Sequence, residues 1–135
     1  MYTLEDVVEH CNDREYILKA IEEDGLLLDG ASDELKDDKD LVMKAVTKDG
    51  GALEFASKKL RADKEVVLTA VKNDVYNSCF PPLYYANEKL WNDKEVVMAA
   101  VKNDGAAFHG VALQYASKEL RNDKEVVLAA VKKND

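Results

Sequence analysis

The sequence predicts an all-α stack of short helical repeats. Two observations carry that prediction. The motif NDKEVVLAAVK, Asn122 to Lys132, recurs along the chain, and a second motif, ALQYASKELR at Ala112 to Arg121, lies between its copies. Aligned on their shared aspartate, the copies fall at Asp13, Asp38, Asp63, Asp93 and Asp123, spaced by 25, 25, 30 and 30 residues. A short period with two apolar-faced elements per unit is a repeat architecture, because one unit cannot bury both faces alone. The expected fold is a solenoid-like or compact stack of helix hairpins, about ten short helices in all. It forms one domain over residues 1–135, with an irregular cap helix at 3–11 and units starting near 13, 38, 63, 93 and 123.

The cap helix is read from Leu4, Val7, Val8 and Cys11, the i, i+3, i+4, i+7 spacing of an amphipathic helix. The first copy follows from Asp13 to Glu23 with Tyr16 and Ile17 in the apolar slots. In every copy a basic residue and an acid come after the shared aspartate, and then three apolar residues. In the last copy Val126, Val127, Leu128, Ala130 and Val131 cover an arc of roughly 200°, so such a helix needs cover on more than one side. Val67, Val97, Val127, Ala70, Ala100 and Ala130 are expected to be buried between units. Asn12 with Glu15, Asn92 with Glu95 and Asn122 with Glu125 have the spacing of a capping box. Ala62 breaks that pattern at a cost of about 1 kcal/mol unless Asp63 takes the role. Asp24-Gly25, Asp49-Gly50 and Asn103 to Gly105 supply helix stops.

The linking element, Ala52 to Arg61 in its clearest form, reads as a second helix. Ala52, Leu53, Phe55, Ala56 and Leu60 span roughly 160°, and Glu54, Lys58 and Arg61 stay outside. Gly30 takes the slot that Phe55, Tyr85 and Tyr115 hold elsewhere. The longer units carry their extra residues before this element. Val75 to Pro82, VYNSCFPP, reads as a proline-led loop with Pro82 fit for a first helical turn; Gly105 to Val111, GAAFHGV, reads as a loop or a single turn. The final helix, Asp123 to Lys133, has no following element over its outer apolar face, so weak self-association or fraying is expected there.

LRNDKEVVLAAVKKND and ALQYASKEL resemble domain-of-unknown-function family 4116, in which LRNDKEVVLAAVK and ALEYAS units alternate. The resemblance covers the chain from Asn12 onward, and the irregular first nine residues, Gly30 and the two inserts depart from it. It implies an all-α repeat and brings no activity, cofactor or catalytic residue.

Composition narrows the function. With 47% apolar residues, 135 residues suffice for a continuous core. The longest apolar run, Val96 to Val101, is far short of the roughly 18 to 20 residues of a membrane span, and the first ten residues lack the pattern of a signal peptide. The expected location is intracellular, in the cytoplasm, with Cys11 and Cys79 as free thiols. A net charge of −8 with interleaved acids and lysines argues against a nucleic-acid surface. The repeated acids suit capping better than metal binding, and adjacent His10 and Cys11 point about 100° apart on a helix, so no metal site or cofactor is expected.

These readings favour a non-enzymatic protein-interaction module or scaffold with a protein partner. The alternative is an enzyme, or an accessory domain of one, using Cys79 and His109, which lie in the inserts of neighbouring units. The strongest binding signal is a comparison of slots. Tyr84 stands where the sister units have Glu54 and Gln114, and Trp91 where they have Arg61 and Arg121. Seven residues apart on one helix, the two rings fall about 20° from each other. The candidate surface is Tyr76, Phe80, Tyr84 and Trp91, flanked by Phe108 and His109. If these aromatics face solvent, exchanging Tyr84 and Trp91 for Glu and Arg leaves stability within about 0.5 kcal/mol. If the VYNSCFPP loop folds over them, the cost is several times larger.

Overall fold

A computed structural model describes residues 1–74, 81–103 and 111–133. These residues are all-α, with no strand among them. The cap helix is α1 (Leu4–Glu9). Five longer helices carry the repeated motif: α2 (Arg14–Glu23), α4 (Lys39–Lys48), α6 (Lys64–Lys72), α8 (Lys94–Lys102) and α11 (Lys124–Lys133). Between them lie α3 (Asp33–Lys36), α5 (Lys58–Arg61), α7 (Pro82–Tyr85), α9 (Val111–Gln114) and α10 (Lys118–Arg121), and the 3-10 segments Gly25–Gly30, Gly50–Phe55 and Glu88–Asn92.

The shared aspartate explains where each long helix starts. Asp13, Asp38, Asp63 and Asp93 are extended and accept a hydrogen bond from the amide three residues on, and Asp123 accepts from Val126 at 3.3 Å. The expected boxes led by Asn12, Asn92 and Asn122 are therefore displaced by one residue. Asn92 and Asn122 instead close the preceding short element, as Ala62 does, so alanine there deprives the long helix of no cap. Asp24 and Asp49 stop α2 and α4 in extended conformation, and each carboxylate accepts from the amide two residues ahead.

The linking motif is not one helix. Ala56 and Ser57 are extended, and the Ser57 hydroxyl caps α5 by accepting from the Leu60 amide at 3.2 Å. Ser32 and Ser117 do the same for α3 and α10. A serine hydroxyl that holds an amide outside the helix competes with continuous helix formation. The serine's own N–H closes the gap to the unit before: Ser32 to Cys11 O at 2.9 Å, Ser57 to Lys36 O at 3.0 Å, and Ser117 to Trp91 O at 2.8 Å, with Asn87 reaching Arg61 O at 2.9 Å in the third unit. This split raises the number of helical elements above the ten expected, while the stacked all-α architecture stands.

Two layers result. Each long helix packs on the next, α2 on α4, α4 on α6, α6 on α8 and α8 on α11, and the linking elements form a second layer across them. Val67, Val97, Ala70, Ala100 and Ala130 are buried between units, each large side chain contributing about 1.5–3 kcal/mol. Val127 is only half buried, because its slot faces forward and nothing among the described residues follows α11. Gly30 also finds its reason here. A Cβ on Gly30 would meet the Val7 and Leu4 side chains of α1, so this slot has no room for the ring that Phe55 and Tyr85 carry in later units.

The basic residue after each aspartate binds the next unit. Arg14 reaches Asp38 at 2.8 Å; Lys39 reaches Asp63 and Glu65, both at 3.0 Å; Lys64 reaches Asp93 at 3.0 Å and Glu95 at 3.6 Å; Lys94 reaches Asp123 at 3.1 Å and Glu125 at 3.0 Å. The recurring acids are thus caps and ladder rungs at once. The Arg14 hydrogen bond holds the Asp38 carboxyl below the usual range. At Asp63 and Asp93 burial alone raises the carboxyl, but the lysine and the capping amides together outweigh it, so both titrate low. Hydrogen bonds to the acids raise Lys39, Lys64 and Lys94 in turn.

Candidate functional site: an aromatic groove on the third unit

Pro81, extended, and Pro82, in the first helical position, start α7 without a side-chain cap, as the proline-led reading expects. Leu83 is fully buried and fixes the helix to the second layer. That anchoring turns the next residue outward, and Tyr84 is 42% exposed. Its ring meets Tyr85 edge-on at 5.1 Å and Tyr115 of the following unit at 5.3 Å, so three tyrosines form a ridge across two units. Such T-shaped pairs add about 0.5–1.5 kcal/mol each and hold the rings in place.

Trp91 departs from expectation. Extended Ala86 ends α7, and Asn87 starts the 3-10 segment by accepting from the Lys89 amide at 2.9 Å. Tyr84 and Trp91 therefore lie on separate elements and not two turns apart on one helix. Trp91 is half buried against the core, and its indole N–H donates to the Leu83 carbonyl at 2.8 Å. The exchange of Trp91 for arginine is no longer expected to be neutral, since it removes a buried ring and that bond. Tyr84 remains the outward aromatic.

Around these rings lies an open groove of about 480 Å³. It is lined by Tyr84, Tyr85, Ala86, Asn87, Glu88, Lys89 and Trp91 of the third unit and by Lys58 and Arg61 of the preceding unit. The candidate surface expected from the sequence does not include these cations, although both are expected to face outward. A signal was present, since Lys58-Lys59-Leu60-Arg61 has no acid where the sister elements carry Asp33 and Glu34, Glu88, or Glu119. The other proposed contacts, Tyr76, Phe80, Phe108 and His109, lie outside the described residues, as does Cys79.

Elsewhere the chemistry is sparse. Among the described residues no three His, Cys, Asp or Glu side chains cluster as metal ligands would. His10 stacks on Tyr16 at 4.0 Å with its Nδ1 2.9 Å from the Asp6 carbonyl, and Cys11 is a half-buried free thiol. No helix among the described residues is long and apolar enough to cross a membrane. At the last helix Val131 is 52% exposed, whereas the equivalent Val71 and Val101 are buried, and Leu128 is 47% exposed, whereas the equivalent Leu68 and Met98 are half buried.

Comparison with known proteins agrees with the repeat architecture. No curated protein and no solved structure matches the chain. The family model described as Domain of unknown function (DUF4116) matches four times in overlapping register, at residues 13–61, 38–82, 63–111 and 107–135. Since these matches together run from Asp13, the first of the shared aspartates, to the last residue, the chain belongs to that family.

Proposed function

We propose that this protein is a non-enzymatic protein-interaction module that engages its partner through the aromatic ridge of the third unit. The observation that carries the reading is Tyr84, exposed in a slot that the sister units fill with Glu54 and Gln114. Glutamate and glutamine there serve folding adequately, so the ring has another use. Exposed aromatics dominate binding hot spots, at about 2 kcal/mol or more on truncation. Tyr84→Glu is expected to lower stability by about 1–3 kcal/mol, the two lost ring contacts accounting for the change, and to leave the chain folded. Partner recovered by affinity capture and quantified by mass spectrometry should drop at least tenfold against the parent chain. Equal recovery by both would remove the ridge from consideration.

A second contact is proposed at α11, where Val131 is exposed in the slot that Val71 and Val101 bury, with Leu128 exposed beside it. Weak self-association there should appear in light scattering as a mass that rises with concentration and returns to monomer in Leu128→Glu. A constant monomer mass at all concentrations would dismiss it.

A further inference from the structure

The groove beside Tyr84 gathers three cations, one of them a guanidinium, around two aromatic rings. The chain has net charge −8, and its ladder cations Arg14, Lys39, Lys64 and Lys94 are all committed to acids of the next unit. Lys58, Arg61 and Lys89 are not: among the described residues none of them forms an ion pair, and all three line one groove with a single acid, Glu88. Arg61 is half buried, and its Nε is buried with no hydrogen-bond partner. The fold gains little from placing an uncommitted guanidinium there. A carboxylate accepts from a guanidinium in a fixed planar geometry, and lysines beside it add attraction without demanding direction. Tyr84 and Trp91 line the same groove and supply apolar contact for a side chain of the ligand.

We infer that the groove takes an acidic peptide segment of a partner protein, with aspartate or glutamate against Lys58, Arg61 and Lys89 and an apolar side chain against Tyr84 and Trp91. This rests on the protein-interaction reading above and names the chemistry of the partner. A single-stranded nucleic acid, which also joins anions to aromatic stacking, is the weaker match. Its binding is driven by a stripe of cations along many phosphates, and three cations on an acidic chain do not make one.

Trp91 is the only tryptophan of the chain, so its emission reads the groove directly. The probes are a capped eight-residue peptide of glutamates around a central leucine and phenylalanine, the same peptide with glutamine for every glutamate, its lysine counterpart, and an oligothymidylate of eight nucleotides. Anisotropy of the labelled probes accompanies the emission. The glutamate peptide is expected to shift Trp91 emission saturably and to bind at least tenfold more tightly than the glutamine peptide, with no binding of the lysine peptide. The exposed pair Lys58→Glu with Lys89→Glu, checked for unchanged thermal unfolding, should abolish that tenfold preference and leave the glutamine peptide unaffected. Equal affinity for the glutamate and glutamine peptides would overturn the acidic preference while the aromatic site stands. Tighter binding of the oligothymidylate than of the glutamate peptide would overturn it in favour of nucleic acid. No response to any probe up to roughly 1 mM, a limit of about 4 kcal/mol of binding, would overturn it as well. The interaction reading itself then falls only if Tyr84→Glu also leaves partner capture unchanged.

Discussion

Gly50→Ala is expected to lower the stability of the protein by about 3 kcal/mol, the upper part of the range for overpacking. Gly50 opens the 3-10 segment of the second unit, and its N–H donates to the Asn73 carbonyl of the next unit at 2.9 Å. A Cβ at this position would fall well inside contact distance of the Ala70 carbonyl oxygen. That obstacle is helix backbone and cannot swing aside as a side chain can. Relief requires the segment to lift from α6, which separates the two layers where Ala52 and Leu53 are buried. Gly25 stands in the same relation to the Ala45 carbonyl, so the requirement recurs one unit earlier. Urea unfolding of Gly50→Ala beside Glu54→Gln, a surface control, measures the effect. A loss below about 0.5 kcal/mol would mean that the layers are looser than this packing implies.

Acidification from pH 5 to pH 3 is expected to produce the second large loss of stability. Asp38, Asp63, Asp93 and Asp123 each cap a long helix and receive a cation from the unit before, and all four titrate below the usual carboxylate value. A carboxyl with a lowered folded pKa contributes stability that is fully present above its unfolded pKa, near 3.9 for aspartate. That contribution disappears as pH falls through the folded value. The ladder lysines act in the opposite sense: raised in the folded state, they contribute below about pH 10.4 and lose their effect as pH rises through the folded value. Ladder stability should therefore be level between about pH 5 and pH 9 and fall on either side. Protonation also relieves the repulsion of a chain with net charge −8, so the ladder has to be isolated by comparison. The urea midpoint of the parent chain should drop further between pH 5 and pH 3 than that of a variant carrying Lys39→Met, Lys64→Met and Lys94→Met. Parallel drops would show that the rungs add nothing beyond the caps.

The repeat itself was legible because it states the same physical requirement five times. Apolar slots at Val66, Val67, Ala70 and Val71 recur with the same spacing as at Val96, Val97, Ala100 and Val101, and all are buried. The break in the linking element was hidden for a physical reason. Ten residues with apolar positions at Leu53, Ala56 and Leu60 satisfy a helix and a 3-10 segment plus a short helix equally well, and only the capping role of Ser57 separates them. The same limit applies at the candidate site. Aligning units identified Tyr84 as an aromatic in a polar slot, and the structure places it on the surface. Alignment gives no depth, however, and the turn at Ala86 and Asn87 carries Trp91 inward to the Leu83 carbonyl. Lys58 and Arg61 were legible as outward residues of an element without an acid, but their place in the Tyr84 groove depends on the stacking of adjacent units.

The hydrogen bond that each cap residue sends to the unit before it has a consequence for how such a chain can vary. In the second unit it joins Ser57 to Lys36 at 3.0 Å, and in the third and fourth, whose motifs recur at 30 instead of 25 residues, it joins Asn87 to Arg61 and Ser117 to Trp91 at 2.9 and 2.8 Å. The added residues precede the donor and follow the long helix, so the bond is blind to their number. Units can lengthen in sequence at that one point and still mesh with their neighbours, because the bonds on either side of it keep the same register. The ladder and the layers are thereby insulated from changes there. Selection has a single address in the sequence at which each unit can be extended, and Tyr84 follows one such address closely along the chain.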